Sequence, residues 1–150
     1  METTANKNTA TLIHLSALSQ YFIPLGSIIF PVLIWSMRKN DSAFVDHNGK
    51  QAINFHLSLF VYTVIFLMLA VPFAVIGIIN NINFSVSQGF EETIEHFAIG
   101  NIGTITFIGV IATALFAVFK IAEFILIIYA AVKNSNGQDY TYPFAIKFLK

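Results

Sequence analysis

Arg38-Lys39-Asn40-Asp41-Ser42-Ala43-Phe44-Val45-Asp46-His47-Asn48-Gly49-Lys50 is a polar hinge between two apolar runs, each long enough to cross a bilayer, and its reading decides the fold. It holds three of the chain's eight Lys and Arg residues, the densest basic cluster in the sequence. Basic residues collect in cytoplasmic loops of membrane proteins, so the hinge also sets the orientation of whatever spans on either side of it.

The composition agrees with membrane insertion. The chain is 56% hydrophobic and only 11% charged, against roughly 25% charged in an average soluble domain. So few charges could not cover a water-facing surface. The net charge is zero, so no global field draws the protein to nucleic acid. The absence of cysteine excludes disulfides, thiolate metal sites and a cysteine nucleophile. Residues 1–11 form a polar tail in which Lys7 is balanced by Glu2. The apolar run after it exceeds the roughly 7–15 residues of a signal-peptide core, so it is expected to be retained.

Working outward from the hinge, residues 12–37 make the first apolar segment, interrupted by Pro24 and Pro31. Each proline removes a backbone hydrogen bond and favours a kink. Two paths fit: one kinked spanning helix, or an interfacial or re-entrant piece to Phe22 followed by a second, short piece. The single kinked helix is the expectation, with Trp35 as an interface anchor. Residues 53–79 form the second segment. Asn54 and His56 lie in its first turn, within reach of water or headgroups, and the run that follows has nothing more polar than Ser58, Tyr62 and Thr63. Asn80-Asn81-Ile82-Asn83 is expected to break that helix. Phe90, Ile94 and Phe97 then recur opposite Glu91, Glu92 and Glu95, the pattern of a short amphipathic helix on the membrane surface. Residues 102–132 form the third segment. Asn134-Ser135-Asn136-Gly137 reads as a turn, and the tail beyond it as a short strand or an interfacial segment. Together these segments predict an all-α integral membrane protein forming a single membrane domain over 12–150, with three transmembrane helices, the first kinked at Pro24 and Pro31, plus one amphipathic interfacial helix.

Counting Lys and Arg gives three in the hinge, three in the C-terminal tail, one before the first segment and none between the second and third. Three spans therefore predict an N-terminus outside and a C-terminus in the cytoplasm of a bacterial inner membrane.

Lys120 and Glu123 lie deep in the third segment, where an ionisable group costs at least about 2.5–3.5 kcal/mol and marks a functional site by default. The plainer reading is an i, i+3 ion pair within a helix interface; the sharper one is an ion or proton pathway. Thr106, Gly109, Thr113 and Ala117 share their helix face, a stripe that lets another helix approach. His14, His47, His56 and His96 are scattered without metal-ligand spacing, and no metal or cofactor is expected. No nucleophile elbow or glycine-rich phosphate loop occurs, so the chain is read as non-enzymatic. The sixteen phenylalanines serve lipid contact and helix packing.

His14-Leu15-Ser16-Ala17-Leu18, Pro24-Leu25-Gly26, Pro31-Val32-Leu33-Ile34-Trp35, the run from Phe44 through His47, Gly49, Lys50 and Asn54 to Phe55, and the tail with Gly137 and Tyr142-Pro143-Phe144 form a pattern that resembles the Tic-twenty-like family of small bacterial membrane proteins. These are distant relatives of a component of the chloroplast inner-envelope import translocon. The resemblance implies an integral helical protein placed beside protein-translocation machinery. It makes His14, Pro31, Trp35, His47, Gly49, Lys50, Asn54, Phe55, Gly137, Tyr142 and Pro143 the candidate interaction residues. It implies no catalytic residue.

The expected function is thus a small accessory or scaffold subunit of a larger membrane complex, with translocation or insertion machinery as the assembly. The alternative is a small channel or transporter whose pathway Lys120 and Glu123 line. The expected partners are the lipid bilayer and another integral membrane protein or complex, with a homo-oligomer as a further option.

Overall fold

The computed structural model describes residues 2–88 and 102–150, with side chains described at 2–72, at 75 and at 110–150. Among the described residues there are four α-helices and no strand: α1 (Thr4–Ser16), α2 (Gly26–Arg38), α3 (Ala43–Gln88) and α4 (Ile102–Ser135), with a 3₁₀ helix, Ala17–Tyr21, after α1. Two stretches are long and apolar enough to cross a membrane, Ala43–Pro72 of α3 and Val110–Ser135 of α4. Only 17% and 11% of their most apolar windows are buried inside the protein, which separates them from core helices of a soluble fold. A third span is not shown. The chain divides into two compact units, Met1–Tyr62 with Ile121–Lys150, and Thr63–Lys120.

In the first unit, Thr3 caps α1 by accepting from the Asn6 amide at 3.2 Å, so the expected polar tail is helical from Thr4. Ala10, Ile13, His14 and Ala17 are fully buried, a spacing of three and four that places them on one helical face. The expected single kinked helix over 12–37 does not form. After the 3₁₀ turn the amides of Phe22 and Ile23 both donate to the Ser19 carbonyl, at 3.0 and 2.9 Å. Leu25 then takes a left-handed conformation, φ 61°. Pro24 has no N–H with which to continue the ladder. Gly26 lies so close to Ser19 that a Cβ there would come within 2.9 Å of its main-chain carbonyl. The chain therefore reverses, and α2 packs back against α1 and the 3₁₀ helix. Pro31, by contrast, is buried within a continuous α2. At 13 residues, α2 is about 20 Å long, short of a bilayer core of roughly 30 Å. The apolar tip of this hairpin points outward, with Phe22 88% exposed.

Ser42 opens α3 by accepting from the Val45 amide at 3.2 Å. Ile13 of α1 packs with Val45 and Ala52 of α3, and Ile34 and Trp35 of α2 close that core. The expected break at Asn80–Asn83 is absent, and α3 runs on to Gln88. An interior asparagine costs only about 0.7 kcal/mol relative to alanine, too little to end a helix without Gly or Pro. α4 closes with Gly137 at φ 74°: its amide donates to Asn134 O at 2.9 Å and that of Gln138 to Lys133 O at 3.0 Å, a glycine C-cap. The tail beyond it is irregular and forms no strand. In the second unit Phe66, Met68, Leu69, Leu115, Phe116 and Val118 are each more than 60% exposed, as helices apolar on all sides are in lipid. The expected amphipathic helix at Phe90, Ile94 and Phe97 lies outside the described residues, as do the side chains of Thr106 and Gly109.

Candidate functional site

An irregular tail beside a membrane helix must find partners for its main-chain groups. Here α3 supplies them. Asn54, Ser58 and Tyr62 recur every four residues and therefore line one face of α3. Asn54 Nδ2 donates to Leu149 O at 3.0 Å and its Oδ1 accepts from Leu149 N at 2.8 Å. Ser58 Oγ accepts from Ile146 N at 2.7 Å while donating to Asn54 O at 2.6 Å. Tyr62 donates to Phe144 O at 2.9 Å. Earlier on α3, Asn48 Oδ1 accepts from Tyr140 N at 3.1 Å, and its Nδ2 donates to Asp139 Oδ1 and Phe44 O, both at 2.9 Å. Asn54 and His56, expected within reach of water, are each only 2% exposed, Asn54 bonded to the folded tail and His56 beside Glu123 of α4.

Tyr142 is the centre of this clamp. Its ring stacks on Phe55 at 4.1 Å between centroids and 9° between planes, and Tyr140 meets it edge-on at 4.9 Å. Its hydroxyl is hydrogen-bonded to His14 Nδ1 of α1 at 3.0 Å. Burial, reinforced by repulsion from His56, lowers the His14 pKa to about 3. Burial, then Tyr140 and Glu123, push the Tyr142 hydroxyl upward. Both groups are therefore neutral at physiological pH, and the bond is one between uncharged partners. Pro143 leads into Phe144, a bulky residue held at φ 60°.

Glu123 is 3% exposed on α4. Its Oε1 accepts from Gln20 Nε2 at 3.0 Å and lies 3.6 Å from His56 Nδ1. It thus joins the 3₁₀ helix, α3 and α4. Lys120 Nζ lies 5.8 Å from the centroid of the Phe116 ring.

The hinge is the third part. The Trp35 indole lies directly over Gly49, where a Cβ would overlap its Cδ1. Trp35 Nε1 donates to Asp46 Oδ1 at 3.0 Å, and Lys50 Nζ reaches Asp46 Oδ2 at 2.6 Å.

The structure thus gathers His14, Asn54, Phe55 and Tyr142 in the clamp and Trp35, Gly49 and Lys50 in the hinge. Gly137 caps α4 against the Lys7 side chain, and Pro31 is buried in α2 away from these bonds. His47 is exposed and belongs to neither cluster. Sequence reasoning missed Asn48, Ser58, Tyr62, Gln20 and Asp46. The four-residue spacing of Asn54, Ser58 and Tyr62 was the available signal. Among the described residues no three of His, Cys, Asp and Glu come together to hold a metal ion.

The arrangement is one of positioning: it fixes an irregular segment against two membrane-type helices. No curated protein and no solved structure matches the chain. A family model does, over residues 5–149, and it overturns the Tic-twenty-like resemblance together with the translocation machinery that this implied. Several of the residues behind that resemblance, His14, Trp35, Gly49, Lys50, Asn54, Phe55 and Tyr142, close the clamp and the hinge. With the match covering nearly every residue, the chain belongs to the MamF/MmsF family, the magnetosome magnetite crystal formation proteins.

Proposed function

We propose that the protein is a non-enzymatic integral scaffold of the magnetosome membrane that takes part in forming the magnetite crystal. The observation that carries this reading is the family match over residues 5–149. The geometry supports it: buried polar groups are spent on holding main chain and helices together. Glu123, shared between Gln20 and His56, fits a joint better than the lining of an ion pathway.

The reading includes a revised topology. α3 and α4 cross the bilayer, and the α1–α2 hairpin enters it from one side and returns, its tip of Tyr21, Phe22, Ile23 and Leu25 in the hydrocarbon. Support comes from the exposure of those four apolar residues and from Lys7, whose side chain lies beside Gly137 at the end of α4. N-terminus, hinge and tail then share the cytoplasmic side, where Lys7, Arg38, Lys39, Lys147 and Lys150, the five Lys and Arg residues outside the two spans, all fall, with Lys50 and Lys133 near the cytoplasmic ends of those spans. The sequence between the two spans has Glu91, Glu92 and Glu95 and no Lys or Arg, a composition suited to the crystal side and to attracting cations.

The test is deletion and restoration in a magnetite-forming cell. Crystals measured by electron microscopy should change in size or shape on deletion and recover with the restored chain, and the protein should stay in purified magnetosome membranes through an alkaline carbonate wash. Unchanged crystals, or a protein released by carbonate, would refute the proposal.

A further inference from the structure

Where α2 ends and α3 begins, the chain forms a cavity of about 510 Å³ whose lining includes Trp35, Lys39, Ser42, Asp46, Lys50 and Lys150. That volume lies within the roughly 300–1,000 Å³ of small-ligand sites. Three lysines and one aspartate are among its lining residues. A main-chain carboxylate at Lys150 would still leave one positive charge in excess. Both oxygens of Asp46 are already engaged, Oδ1 by the Trp35 indole at 3.0 Å and Oδ2 by Lys50 at 2.6 Å. Lys39, on the exposed rim, has its Nζ 5.1 Å from the Trp35 ring centroid. Ser42 and Ala43 bring the N-terminus of α3 to the same cavity, and the positive end of the helix dipole adds to the field of the lysines. The apolar wall, Trp35 with Leu149, stands where a membrane-spanning stretch starts, the level at which tryptophan meets headgroups.

We infer that this cavity binds a phosphate group, carried by an anionic phospholipid of the leaflet in which α3 starts. Lys39 and Lys50 hold the phosphate oxygens, Ser42 offers its hydroxyl, and the indole covers the glycerol end of the headgroup. The site is independent of any role in crystal formation, so its failure would leave the family reading untouched.

Trp35 is the single tryptophan of the chain, and its fluorescence therefore reports occupancy directly. The full-length protein in phosphatidylcholine mixed micelles is titrated with phosphatidylglycerol, and separately with inorganic phosphate. A saturable Trp35 response to phosphatidylglycerol is expected, weakened at least tenfold in Lys39→Gln and changed less than twofold in Arg38→Gln, a neighbouring cation outside the cavity. Native mass spectrometry should show one retained phosphatidylglycerol per chain in the wild type and in Lys50→Arg, which keeps the charge, and loss of it in Lys39→Gln. Saturation by inorganic phosphate alone, with the same dependence on Lys39, would uphold the phosphate site and assign its ligand to solution. A linear response, an equal response to added phosphatidylcholine, or equal weakening in Arg38→Gln and Lys39→Gln would overturn the inference, since any of these describes general surface charge.

Discussion

Asn54 holds both main-chain groups of Leu149, donating to its carbonyl at 3.0 Å and accepting from its amide at 2.8 Å, so that one side chain of α3 does for the tail what a neighbouring strand would do in a sheet. Asn54→Ala removes both bonds and leaves Leu149 unpaired beside an apolar helix. The expected cost is about 2–3 kcal/mol. Thermal unfolding in detergent should show it, and amide hydrogen exchange should rise over residues 139–150 while α1 keeps its protection. Equal exchange in the tail of the variant and the wild type would mean that the clamp is not what orders this segment.

Gly49 is required by the indole above it. Gly49→Ala places a methyl group inside the Trp35 ring contact, and overpacking of this kind costs about 1–3 kcal/mol. Reducing the ring should relieve the clash. In Gly49→Ala with Trp35→Leu, unfolding should show a smaller combined loss than the sum of the two single losses. Strict additivity would show that the two residues are not in contact.

How much of this could be read beforehand follows from the range of each interaction. α3 and α4 were legible as helices long and apolar enough to span because about 20 apolar residues in a row carry the signal locally. The reversal at Pro24 was written in the sequence as Pro24, Gly26 and Ser19, yet the hydrophobic length of residues 12–37 spoke louder than the break. The clamp was not legible. Asn54, Ser58 and Tyr62 bond to residues 82 to 95 positions away, and a polar residue near a helix start looks the same whether it meets water or a returning chain. The hinge and tail motifs do come together in the fold, but the family attached to them was the wrong one.

His14 gives the fold a pH limit. Its folded pKa is about 3 against an ordinary 6.5, so the neutral form is favoured by folding. The contribution is complete above pH 6.5 and is lost as the pH falls from there toward 3, amounting to about 2 kcal/mol by pH 5. The groups facing His14 are the Tyr142 hydroxyl and His56, whose own charge would add repulsion. The melting temperature in detergent should therefore fall between pH 7 and pH 5, and fall less in His14→Gln. Parallel declines in the two proteins would remove His14 as the cause.

The placement of Lys7 against Gly137 makes a topological claim that the chain is well suited to test, because it contains no cysteine. Asn8 in α1 and Gln138 after α4 are both exposed. A hairpin that enters the bilayer and returns puts them on one side, whereas a first spanning helix puts them on opposite sides. Single-cysteine variants Asn8→Cys and Gln138→Cys in sealed inverted vesicles should both react fully with a membrane-impermeant maleimide, and Glu91→Cys should react only after the vesicles are opened. If Asn8→Cys behaves instead like Glu91→Cys, the N-terminal hairpin crosses the membrane and three spans must be restored.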